Sequence, residues 1–84
     1  MYNIEIKKSA IKELAQITPP YNNKIVSAID SLAINPKPDG VKKLKGAEAF
    51  RIRVADYRII YTIEEVIKVV EIQRIRHRKD AYRT

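Results

Sequence analysis

The chain has 84 residues, 45% of them apolar and 32% charged, so it holds enough apolar material for one packed layer and gives no compositional case for global disorder. One domain is expected over residues 1–84, and a large multidomain enzyme is excluded. Seventeen Lys and Arg against ten Asp and Glu give a formal net charge of +7, and the absence of cysteine excludes disulfides, thiolate nucleophiles and Cys-based metal sites.

The excess charge is unevenly placed. Residues 1–41 carry five basic and four acidic side chains, net +1, whereas residues 42–84 carry twelve and six, net +6, and all seven arginines lie from Arg51 onward. A basic balance alone reports loose attraction to polyanions, but planar guanidinium groups gathered into one half suggest a built phosphate-binding surface. No run approaches the roughly 18 apolar residues that span a bilayer, and the N-terminal residues MYNIEIKKS lack the apolar core of a signal peptide. The expectation is a soluble cytoplasmic protein without membrane association.

Residues 2–6 alternate, with Tyr2, Ile4 and Ile6 on one side, the pattern of a short half-buried strand. Ser9 is placed to cap a helix in which Ile11, Leu14 and Ile17 recur at three-residue spacing. Thr18-Pro19-Pro20 ends that helix and starts another, because proline fits a first helical turn and not a helix interior. Tyr21, Ile25, Ala28, Ile29 and Leu32 give the second helix one apolar stripe, and residues 35–40, NPKPDG, form a helix stop followed by a turn.

From Phe50 the period changes to two. Phe50–Val54, Tyr57–Ile63 and Val66–Gln73 are expected as three strands of an antiparallel meander, turning at Ala55-Asp56 and Glu64-Glu65. With two-residue connections, Val54 faces Tyr57, Ile52 faces Ile59 and Phe50 faces Tyr61, while Ile63 faces Val66, Ile59 faces Val70 and Tyr57 faces Ile72. The same register sets Arg53 opposite Arg58, Arg51 opposite Ile60 and Arg58 opposite Glu71 on the other side. The fold class is therefore α+β: an N-terminal strand, a helical hairpin, the meander and a basic C-terminal tail from Arg74, with helices on one sheet face and the other open.

Opposed like charges such as Arg53 and Arg58 destabilise a sheet, so a ligand of opposite charge accounts for them better than chance placement; solvated surface charge is the plainer alternative. Arg51, Arg53 and Arg58 on the face, with Arg76, His77, Arg78, Lys79 and Arg83 from the tail, make a candidate polyanion site. Tyr82 supplies a stacking plane of the kind RNA sites use, or packs on the sheet edge to anchor the tail. His77 is the one side chain with an ordinary pKa near neutrality, suited to proton transfer or to neither role, and alone it makes no multi-histidine metal site. The chemistry that fits is RNA cleavage without metal or other cofactor, in which the ribose 2′-hydroxyl attacks its neighbouring phosphate, since no tight Asp/Glu cluster lies near the basic residues.

The segment Phe50-Arg-Ile-Arg-Val-Ala-Asp-Tyr-Arg-Ile-Ile-Tyr61, an acidic turn, a Val/Ile strand and His77-Arg-Lys-Asp-Ala-Tyr-Arg83, with Leu44-Lys45-Gly46 ahead of it, resembles the RelE/ParE superfamily of bacterial and archaeal toxins. The resemblance implies a type II toxin held inactive by an acidic, RelB-like antitoxin. Its RelE branch cleaves messenger RNA in the ribosomal A site; its ParE branch inhibits DNA gyrase without nuclease chemistry, and a non-toxic relative that only binds antitoxin is a third possibility. By motif, Arg51 and Arg53 match the basic positions of the first hairpin strand, Arg58 the arginine after tyrosine, Arg78 the tail arginine and Tyr82 the tail tyrosine. The implied roles are Tyr82 activating the 2′-hydroxyl, Arg53 and Arg58 stabilising the phosphate and Arg78 assisting the leaving group. Ala55 and Arg76 stand where many relatives have glycine.

Overall fold

In the computed structural model, which describes residues 1–46 and 48–81, the alternating segments become strands of one mixed sheet and the apolar stripes become helices. The chain runs β1 (Asn3–Ile6), α1 (Lys8–Ala15), α2 (Tyr21–Ser31), β2 (Lys42–Lys43), β3 (Phe50–Val54), β4 (Tyr57–Glu64), β5 (Val69–His77) and α3 (Arg78–Ala81). Across the sheet the order is β1-β5-β4-β3-β2, with β1 parallel to β5 and every other pair antiparallel. The α+β class is as expected. The two-residue β2, which pairs Lys42 with Arg51 and Lys43 with Phe50, is an addition that so short a stretch could not announce.

The β3–β4 hairpin has the register counted from the sequence: Phe50 opposite Tyr61, Arg51 opposite Ile60, Ile52 opposite Ile59, Arg53 opposite Arg58 and Val54 opposite Tyr57. Ala55, the first residue of its turn, has φ 53°. A positive φ there suits a type II′ turn, whose twist matches the flanking strands and whose first position favours glycine.

The β4–β5 connection departs from expectation. It spans residues 65–68 rather than two residues, and Lys68 takes the left-handed φ of 56° that closes it. Val66 and Ile67, expected in a strand, stand 92% and 66% exposed in this turn, because β-branched composition favours a strand only where a neighbouring strand pairs with it. Ile63 therefore faces Val70, and Tyr61 faces Ile72. A second shift follows, because Tyr61 pairs with Ile72 and Ile60 with Arg74, leaving Gln73 as a β-bulge. Ile59 and Tyr57 then face Ile75 and His77 instead of Val70 and Ile72. The extra residue puts Ile72 and Ile75 on the same side, both buried, and sends Arg74 and Arg76 to the other. Arg58 consequently stands opposite Arg76, not Glu71; Glu71 lies between Thr62 and Glu5. Residues 74–77 are strand rather than the start of a tail.

In α1 the inward stripe is Ala10 and Leu14, continued by Ile17 just past its end, while Ile11 is 51% exposed. Ser9 does not cap the helix; Lys7 holds the N-cap position, and the Ser9 hydroxyl donates to the Gln73 carbonyl at 3.3 Å. α2 buries Ile25 and Ile29, with Leu32 just beyond its end. These helices pack on the sheet through Ile52, Ile59, Tyr61, Val70, Ile72 and Ile75. Each fully buried side chain of this size contributes about 1.5–3 kcal/mol. The Tyr61 hydroxyl donates to the Pro36 carbonyl at 2.7 Å, tying the turn after α2 to the central strand, and burial pushes its pKa up to about 12. Among the described residues no helix is long and apolar enough to cross a membrane.

Candidate nucleic-acid interface

Alternation dictates that the residues between the core positions share the opposite face of the sheet. One cross-strand row runs Lys42, Arg51, Ile60, Arg74 over β2, β3, β4 and β5, and the next runs Arg53, Arg58, Arg76 over β3, β4 and β5. Neighbours within a row have Cβ atoms on the order of 5 Å apart, and adjacent rows are separated by about 7 Å along the strands. Six cationic side chains thus surround Ile60. Arg53 is exposed, while Arg51, Arg58, Arg74 and Arg76 are half-buried, so their repulsion is only partly screened by water.

Glu13 of α1 stands at the edge of this array. β1 ends where Ile6 pairs with Ile72, leaving the following stretch of β5 without a strand on that side. Glu13 takes the empty place. Its Oε1 accepts the Ile75 backbone N–H at 2.9 Å, both carboxylate oxygens accept from Arg74 at 2.9–3.2 Å, and Oε2 lies 3.8 Å from Arg76 Nε. Partial burial pushes the Glu13 carboxyl up, but the bonds from Arg74 and the Ile75 N–H and the charges of Arg74 and Arg76 outweigh it and hold the carboxyl below its ordinary value. A cavity of about 530 Å³ opens beside this edge between Glu13 of α1, Gln16 just past its end, and Tyr57, Arg76 and His77 of the sheet.

The structure does not bring every sequence-predicted residue together. Arg51, Arg53, Arg58 and Arg76 share the face, whereas the His77 ring lies on the helical side, edge-on to Tyr57 at 5.2 Å, with Tyr57 itself 6.1 Å from Tyr21 of α2. His77 Nδ1 accepts the Lys79 N–H at 3.2 Å, which caps α3 and leaves the ring proton on Nε2 when the side chain is neutral. The Arg78 N–H donates to the Asp56 carbonyl at 2.6 Å, seating α3 against the β3–β4 turn with the Arg78 and Lys79 side chains exposed. Tyr82 and Arg83 lie outside the described residues. Lys42, Arg74 and Glu13 are additions. The bulge that aims Arg74 has no signature in the sequence, and Glu13 reads there as one more polar position on the outer side of a helix.

A small basic α+β protein with helices on one sheet face and cationic rows on the other is the class this fold and surface define. The family model for the ParE toxin of type II toxin-antitoxin systems matches residues 4–82, and the protein RelE1 of Methanocaldococcus jannaschii is 31% identical over 86 residues, spanning 98% of this chain and 96% of that protein. The chain belongs to the RelE/ParE superfamily of type II toxins. Among solved structures, the RelE-RelB complex of Pyrococcus horikoshii OT3 matches at 28% identity with a TM-score of 0.83, covering 99% of this chain and 98% of that one. The RelBE2 toxin-antitoxin complex of Mycobacterium tuberculosis matches at 26% identity with a TM-score of 0.82, covering 92% and 98%.

Proposed function

We propose that this toxin is a ribosome-dependent messenger RNA endonuclease that halts translation, and that its cationic rows are the surface that grips the message. The observation that carries the reading is the cross-strand row Arg53, Arg58, Arg76, flanked by Arg51 and Arg74. Guanidinium groups so arranged favour the extra negative charge of a phosphorane-like transition state over the ground-state diester, which is how fixed cations lower a barrier. In the step itself the 2′-oxygen bonds to phosphorus as its proton leaves to a base, and the P–O5′ bond breaks as the departing oxygen gains a proton. The products are a 2′,3′-cyclic phosphate and a 5′-hydroxyl. Arg53 and Arg58 hold the phosphoryl oxygens, joined by Arg76 in the same row; Tyr82 takes the 2′-hydroxyl proton and Arg78 assists the leaving oxygen, roles that rest on the family motif. The A site supplies an aligned, extended codon, which supports a dependence on the ribosome.

The partner that restrains such a toxin is proposed to be an acidic, amphipathic, RelB-like antitoxin segment, in keeping with the +7 charge and with the RelB complexes of the relatives. The test is primer extension on cellular messages after induction. The parent should leave discrete cuts inside translated codons, and Arg58→Ala should reduce them by about 10²–10³-fold, the usual effect of losing one transition-state charge contact. Cuts at the parental rate by folded Arg58→Ala would overturn the reading. Intact messages with DNA breaks and supercoiling defects would favour gyrase inhibition instead.

A further inference from the structure

We propose that Glu13 is a positioning residue for the arginine rows: its carboxylate draws Arg76 away from Arg58 toward the edge of β5 and holds its guanidinium in line to meet a phosphate. The inference rests on the RNA-cleaving reading above and adds to it a residue from the opposite layer of the fold. Three consecutive positions of β5 converge on this one carboxylate. Arg74 pairs with it through Nε and Nη2, the Ile75 N–H donates to it, and Arg76 approaches through Nε at 3.8 Å.

Two physical needs meet at this point. Arg58 and Arg76 are direct cross-strand partners, so their guanidinium groups repel, and without a counter-charge Arg76 samples many rotamers. The edge of β5 beyond Ile72 also presents a backbone donor that no strand takes up. A carboxylate answers both needs, whereas an amide could answer only the second. Because Glu13 engages Arg76 through Nε, the terminal amino groups of Arg76 stay available; among the described residues they meet no acceptor. Arg58 holds the centre of the row, and Arg76 beside it becomes a preorganised second donor.

Glu13→Gln is the discriminating substitution, since it keeps the shape and the acceptor for the Ile75 N–H and removes only the charge. Cleavage of ribosome-bound message should slow by about tenfold in kcat, the scale of one misplaced charged hydrogen bond. Binding of a non-cleavable single-stranded RNA should stay unchanged or tighten, because a negative charge has left the surface. A merely weakened fold would lose both together. Glu13→Asp should recover part of the rate, and Glu13→Gln should have no further effect in an Arg76→Ala background. A parental rate for Glu13→Gln, or an equal loss in the presence and absence of Arg76, would overturn the inference. If the parent cleaves no message, the functional reading fails on its own, and Glu13 is judged by the Arg76 Nε–H resonance of the folded protein. That resonance should shift in Glu13→Gln; an unmoved resonance sinks the proposal.

Discussion

The two faces of the central sheet differ by a single residue step and by everything that acts on them. On one side Ile52, Ile59 and Ile75 form a cross-strand row sealed beneath α1 and α2, and one position along, Arg53, Arg58 and Arg76 form a row facing outward. The first row gains from contact with the rest of the chain. The second sets like charges side by side, a repulsion that the Glu13 carboxylate beside Arg76 offsets in part. Folding free energy is thus concentrated in one face and the proposed recognition of RNA in the other, which lets each vary with limited effect on its neighbour.

The sharpest way to break the comparison is to strike adjacent residues of β4. Ile59→Ala should lower the unfolding free energy by about 2–5 kcal/mol through cavity formation. Arg58→Ala should move the denaturant midpoint far less than Ile59→Ala does, while abolishing most cleavage. Equilibrium urea unfolding beside an RNA-cleavage assay reads both, and equal stability losses would erase the distinction between the faces.

A smaller effect is expected at Tyr61, which belongs to the core face by its ring and to a loop by its hydroxyl. Tyr61→Phe removes the bond to the Pro36 carbonyl and should cost about 1 kcal/mol. The parent should also lose stability in alkali in a way this variant does not. With the folded pKa raised from the ordinary 10.0 to about 12, burial favours the protonated phenol; its contribution is complete below the ordinary value and fades as pH climbs toward the folded one. Thermal melts across that range should converge for parent and variant at the alkaline end.

The smallest expected change is a gain. Ala55 carries a Cβ at φ 53°, a region costing roughly 1–2 kcal/mol for an L-residue, while glycine brings an entropy penalty of about 0.5–1 kcal/mol. Ala55→Gly should therefore stabilise the protein by about 0.5–1 kcal/mol, read as a raised melting temperature with unchanged cleavage. A lowered melting temperature would show that the turn does not store this strain.

Much of this contrast is legible in the sequence because period-two alternation is strong around a tight turn. Phe50 to Tyr61 has no slack, so Arg53 falls opposite Arg58 as counted. Legibility ends where backbone geometry rather than composition decides. Lys68 adopts a left-handed conformation that no residue in residues 64–68 advertises, and Gln73 is extruded because only a bulge lets Ile72 and Ile75 both reach the core. Each event moved the partner of Arg58, first away from Glu71 and then onto Arg76. The His77 ring turned to the helices for the same reason. Glu13 was hidden differently: its partners lie 61 to 63 positions away, a distance local patterning does not reach.

The parallel pairing of β1 with β5 also bears on how the toxin comes into being. Asn3 pairs with Val69, 66 positions later, so β1 waits for a strand made well after it. Such long-range closure carries a loop-entropy cost that local contacts do not repay, and it comes late in folding. Glu13 finds Arg74, Ile75 and Arg76 only at that moment. Arg53 and Arg58 precede Arg76 in the chain and are therefore made before it, so their row is completed only once β5 has joined the sheet.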